Sequence, residues 1–239
     1  EHAVQHLNSL LATPLVGGGA AFLIARLLRR SGRTEQRTVA GLGGVVMMIL
    51  AHARFGATGD LSIIGYLQGL NPIRTDPLFE VLGLTLAIGT VGVVLINQSV
   101  RRDPEQGERM FLLLLGILVA FSAGGSQVGL AIGPLVPVMT DGGIPFSILL
   151  VGGGLGLLIG SWTGAPRLIK ALARDYSSLG PRRSIAAMIP AFAIAQLAVG
   201  IGVPVSFNEI IVSAIIGSGL AVDRTAVSRR KILRTGLAW

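Results

Sequence analysis

Apolar stretches recur along this chain at Leu10–Leu28, Val39–Ala53, Leu78–Val100, Met110–Thr140, Gly142–Pro166 and Ile185–Val222, parted by short polar segments. About 20 apolar residues carry a helix across a bilayer. The pattern therefore predicts an all-α, polytopic membrane protein. Two stretches depart from it. Met110–Thr140 holds no charged residue, yet its middle reads FSAGGSQVGLAIGPL, with Ser122, paired glycines, Ser126, Gln127 and Gly133-Pro134. Ile185–Val222 is split by Gly200-Ile201-Gly202-Val203-Pro204 into halves that are each short for a crossing. Irregular backbone at membrane depth survives only where protein or a polar cavity surrounds it. The glycines and proline of the first departure predict a discontinuous helix, and the second departure predicts a re-entrant helical hairpin.

Charge in the connecting segments sets the orientation. The 29–37 segment holds four Arg against one Glu, whereas 167–183 and 223–234 each hold five basic residues against one Asp. The 101–109 segment is balanced, and Arg54–Glu80 and Asp141 are slightly acidic. Cytoplasmic loops carry the excess of Lys and Arg. On that rule 29–37, 101–109, 167–183 and 223–234 lie in the cytoplasm, and both flanks of Ile185–Val222 fall on one side, as a hairpin requires. The start, VQHLNSLLATPL, weakly echoes the end, VSRRKILRTGLAW, with opposite orientation. That is the geometry of inverted-topology repeats, a common plan of secondary transporters. The chain starts with Glu and ends where a further apolar span begins, so 1–239 is read as a single transmembrane domain, the end of one repeat and most of a second, cut from a longer protein.

Composition agrees and removes other classes. Hydrophobic residues make up 51%, charged residues 13%, and the mean hydropathy is +0.71, where a soluble domain is roughly 25% charged. The net charge of +8 does not argue for nucleic acid, because the basic residues sit in loops between spans. The absence of Cys excludes disulfides and thiolate sites, and His2, His6 and His52 have no metal-ligand spacing. No nucleophile–base constellation is present, so an enzyme is not expected.

The polar residues at depth are the candidates for function. Ser206-Phe207-Asn208-Glu209 has the spacing of a helix-capping box, and a helix start attracts anions. Glu209 is the one acid in the interior of an apolar span, and such residues are costly unless they work or are paired. Its structural alternative is to complete the cap. Ser126 and Gln127 are either site residues or interhelical hydrogen-bonding groups. The runs Gly17-Gly18-Gly19 and Gly152-Gly153-Gly154-Leu155-Gly156 follow no strand, so they are read as helix-packing positions rather than nucleotide loops.

Gly124–Leu135 and Gly202–Gly217 resemble the two motifs of the inorganic phosphate transporter family, which includes related sulfate permeases; the order of spans is similar over nearly the whole chain. The resemblance implies an ion-coupled symporter of phosphate in the cell membrane, with Na⁺ or H⁺ as the coupling ion and no other cofactor. It places the anion at Gly124, Gly125, Ser126, Gln127, Ser206 and Asn208. The departures fall on the polar positions. Ser126, Gln127 and Leu130 stand where the family has Asn, Asp and Asn, and Phe207-Asn208-Glu209 replaces two hydroxyl residues and a His. An acid is lost at Gln127 and one is gained at Glu209, which makes Glu209, with Gln127, the candidate for cation or proton coupling. Sulfate transport and a non-transporting scaffold or sensor are the alternatives. Phosphate or sulfate, the lipid bilayer and a second copy of the chain are the expected partners.

Overall fold

The computed structural model describes residues 2–29, 33–53, 62–70, 76–170, 180–200 and 205–221; the side chains of 2–12, 33, 34, 126, 130, 165, 167–169 and 199 lie outside that description. The elements are α1 (His2–Leu28), α2 (Arg33–His52), α3 (Ile63–Leu70), α4 (Pro77–Arg102), α5 (Pro104–Ile132), a 3₁₀ turn at Gly133–Leu135, α6 (Val136–Asp141), α7 (Phe146–Lys170), α8 (Pro181–Gly200) and α9 (Phe207–Leu220). Helices α4, α5 with α6, and α7 hold stretches long and apolar enough to cross a membrane, and Thr13–Leu28 and Phe207–Leu220 are shorter apolar helices. The all-α membrane architecture expected from the hydrophobic pattern is what the chain adopts.

Three boundaries differ from expectation. The 101–109 loop contracts to a single residue, Asp103. Its N–H donates to Ser99 O at 3.2 Å, and its Oδ1 accepts from Glu105 N and Gln106 N, both at 3.1 Å. One residue thus ends α4 and caps α5, with Pro104 preset for the first helical position. Gly107 makes this turn tight, since a Cβ there would sit 2.7 Å from the backbone of Val100. The Arg54–Glu80 segment holds a helix of its own, α3, whose start is fixed by Ser62: its Oγ accepts from Gly65 N at 3.1 Å. The third difference concerns the discontinuous helix. Gly124–Gln127 lies in unbroken α5, and the break comes at Gly133–Leu135. A glycine inside a helix costs only about 1 kcal/mol, whereas proline removes a donor and clashes with the preceding turn. Of the expected glycines and proline, Pro134 changes the hydrogen-bonding pattern and the Gly124-Gly125 pair does not.

Helices α8 and α9 pack against each other. Arg29 Nη1, at the end of α1, donates to Ala221 O, just past α9, at 3.1 Å. Arg29, Pro181 and Arg182 line one cavity. The start of α8 and the end of α9 therefore lie together, and the two helices run antiparallel. The expected break at Gly200–Pro204 has Gly200 as the end of α8; residues 201–204 lie outside the described residues. At 20 residues, α8 is about 30 Å long, more than the half-crossing expected. It gains length by taking in Pro181–Ser184 and by continuing through Pro190.

Helix α8 is the centre of the core. Its Ile185, Ala186, Ile189, Ala191, Phe192 and Ala195 are buried with Leu115 and Val119 of α5, Val46 of α2 and Ile210 of α9. Small residues set the closest approaches. A Cβ on Gly18 would sit 3.1 Å from Ser213 O, and one on Gly217 would run into the Gly18 backbone. Such contacts are how helices associate where water supplies no drive. Gly43 and Gly44 of α2 meet Ile96, Val93 and Gly89 of antiparallel α4 in the same way. Helix α7 is peripheral, with Phe146, Ile159 and Trp162 exposed, as suits a surface turned to lipid rather than water.

Candidate functional site

Helices α5 and α8 run parallel at a nearly constant sequence separation. At one end Arg182 of α8 pairs with Glu108 of α5, Nε to Oε1, at 3.7 Å. Further along, Gly116 faces Met188. Further still, Gln196 Nε2 donates to Ser122 Oγ at 2.7 Å, across 74 positions of sequence. One turn beyond Ser122 lies Ser126, and one turn beyond Gln196 lies Gly200. The Gly124–Gln127 segment and the tip of the hairpin thus stand at the same height on neighbouring helices.

The individual candidates are placed as follows. Gly124 and Gln127 are half-buried and Gly125 is exposed. A Cβ on Gly124, Gly125 or Gly129 would meet nothing within 4 Å, so this side of α5 borders open space. Ser126 is helical, and its side chain is outside the described residues. Ser206 is the N-cap residue of α9 by backbone conformation, but its side chain makes no capping bond. The expected capping box therefore does not form. Only the Ser206 carbonyl takes part, accepting from Ile210 N at 3.2 Å. Asn208 is exposed and Glu209 half-buried, both off the face that buries Phe207, Ile210, Ala214 and Gly217. Helix α9 packs mainly on α1 and α8, while α5 packs mainly on α8, α4 and α7. Gln127 and Glu209 thus stand on two helices that both pack on α8. The glycine runs divide: Gly17 and Gly18 are packing positions, as expected, whereas of the 152–156 run only Gly153 meets a neighbour, Ile132.

Polar groups that the sequence reading passed over make the stronger contacts. Gln196 is the one amide of the otherwise apolar α8 interior, and that isolation was the available signal. His52 Nε2 and Thr85 Oγ1 lie 3.0 Å apart and join α2 to α4. His52, Ala53, Gln196 and Gly200 share a cavity of about 450 Å³ with Met48 and Ile49, beside the hairpin tip. At the opposite end, Glu35 of α2 and Glu108 of α5, both buried, share the guanidinium of Arg182, which is ion-paired to each. Glu108 precedes the uncharged Met110–Thr140 run. Burial holds its carboxyl above the usual value; Arg182 opposes this and the Glu35 charge adds to it. This cluster clamps the base of α8 to α2 and α5.

The fold and these positions can be set beside known proteins. The chain is 31% identical to sodium-dependent phosphate transporter 1-B of Danio rerio over 153 residues, covering 58% of this chain and 23% of that protein. It is 28% identical to sodium-dependent phosphate transporter 2 of Xenopus tropicalis over 160 residues, 60% of this chain and 24% of the relative. A solved structure titled the sodium-dependent phosphate transporter superposes with a TM-score of 0.72 at 18% identity, covering 97% of this chain and 60% of that one. This chain thus spans about a quarter of the length of those two relatives and three-fifths of the solved one. The model of the phosphate transporter family, a family of transporters rather than enzymes, matches residues 2–239. Spanning that match from end to end, the chain belongs to the phosphate transporter family.

Proposed function

We propose that the full-length protein is an ion-coupled carrier of inorganic phosphate in the cell membrane, with its Arg-rich loops in the cytoplasm. The anion would sit between Gly124–Gln127 of α5 and the hairpin tip, held by backbone N–H groups and the side chains of Gln127, Ser206 and Asn208. The observation that carries this reading is the common height of those two segments, set by the parallel α5–α8 register. The open space beside Gly124 and Gly125 leaves room for a ligand. The sodium-dependent relatives support a cation as co-substrate. Without the usual acid at Gln127, Glu209 is the group to accept that cation or a proton.

Uptake of radiolabelled phosphate and sulfate into proteoliposomes holding the full-length chain tests this. Phosphate uptake driven by a Na⁺ or proton gradient is the expected result. Gln127→Ala and Asn208→Ala should each lower it about tenfold, the value of one hydrogen bond to a charged group. Glu209→Gln should abolish its dependence on the gradient. Preference for sulfate would favour the permease alternative, and no uptake of either anion would favour a non-transporting scaffold.

A further inference from the structure

At the end of the molecule where α2 begins and α4 finishes, a cavity of about 430 Å³ is lined by Gln36, Arg37, Asn97 and Arg101. Two cations and two amides converge there, and among the described residues no acid lines the space. Neither arginine has an ion-pair partner among the described residues. The nearby acid on α2, Glu35, is turned away and held by Arg182. Asp103, beyond the end of α4, is committed to capping α5. The first turns of α2 thus separate charge, negative toward α8 and positive toward α4. The antiparallel packing of α2 on α4 brings Arg37 and Arg101 to the same end.

The surface beside this cavity is apolar. Val94, Asn97 and Arg101 follow helical spacing on one face of α4. Val94, Val91 and Leu95 are exposed, at 45%, 52% and 55%. An apolar stripe therefore leads along the helix into a cationic, amide-lined recess at its charged end. A phosphate oxyanion matches the recess, since guanidinium groups bind it through forked donors and amides add two more. An acyl chain matches the stripe.

We propose that this recess binds the headgroup of an anionic phospholipid, with its acyl chains along Val91, Val94 and Leu95 of α4. The site is separate from Gly124–Gln127 and the hairpin tip, and it does not depend on what the protein carries. The full-length protein in detergent would be titrated with phosphatidylglycerol, phosphatidylcholine or inorganic phosphate, and bound ligand counted by native mass spectrometry. Phosphatidylglycerol should bind in preference to phosphatidylcholine. The double variant Arg37→Gln/Arg101→Gln should bind it about thirtyfold less tightly, each arginine being worth about fivefold at a membrane surface. Arg102→Gln removes the same charge one residue away but outside the recess, so it loses only the general surface attraction and not the forked contact, and should weaken binding clearly less than Arg101→Gln. Should the double variant fail to fold, Asn97→Leu, which removes an amide at similar size, should still weaken binding. Absence of lipid preference, equal weakening by Arg102→Gln, unchanged binding in Asn97→Leu, or saturation of the arginine-dependent site by inorganic phosphate alone would overturn the proposal.

Discussion

The α1–α9 contact and the C-terminal third of α5 are both glycine-rich helix in an apolar setting, yet their glycines do opposite things. At Gly18 and Gly217 the missing side chain is space already taken by the neighbouring backbone. At Gly124, Gly125 and Gly129 nothing lies within 4 Å of where a Cβ would be. Glycine in the first region closes a contact; in the second it leaves a helix wall smooth beside open space. Composition cannot tell these apart, because the difference lies in what stands opposite.

The sharpest way to break the comparison is to add one methyl group in each region. Gly217→Ala should destabilise the protein by about 3 kcal/mol, the upper end for overpacking, because the obstacle is backbone that cannot rotate away. Gly125→Ala should instead raise stability by about 0.5–1 kcal/mol through helix propensity alone. Thermal unfolding of both variants in detergent reads the two signs, and equal effects would erase the distinction. Next in size is the clamp at the base of α8. Arg182→Leu leaves Glu35 and Glu108 buried without a cation and should cost about 2–3 kcal/mol, below the figure for a fully buried pair because Arg182 itself is half exposed.

The clamp also has a pH signature. The folded form holds its Glu108 proton more tightly than the unfolded chain, so stability should rise as pH falls from neutral toward the ordinary carboxylate range. Unfolding midpoints against pH should show that rise, and Glu108→Gln should remove its part of it. The smallest effect is expected at the inner polar pair. Gln196→Leu should cost about 1 kcal/mol, the value of one hydrogen bond, and Ser122→Ala should add little on top of it in a double-mutant cycle.

The hydrophobic pattern sufficed to place most helices and the turn at Asp141. The division of the last apolar stretch into α8 and α9 was also legible, since Gly200–Pro204 punctuates it. Of the glycines and proline that mark the discontinuous helix, only Gly133-Pro134 interrupts it, because glycine weakens a helix without stopping it, whereas Pro134 changes the hydrogen-bonding pattern. The collapse of the 101–109 loop depended on Asp103 serving two helices at once, a matter of exact cap geometry. The Glu35–Arg182–Glu108 cluster was hidden by distance in sequence. Its members sit in segments that read as solvated charge until packing turns their faces inward. The capping box at Ser206–Glu209 had the right spacing, but the Ser206 side chain makes no bond to the helix.

The two ties between α5 and α8 carry a mechanical consequence. Ser122–Gln196 and Glu108–Arg182 pin the same pair of helices at separated heights. A pair fastened at two points cannot slide lengthwise without breaking one fastening. The Gly124–Leu135 motif is therefore borne on a single stiff strut, and relative movement within the fold is left to the joints that strut makes with α4, α7, α1 and α9.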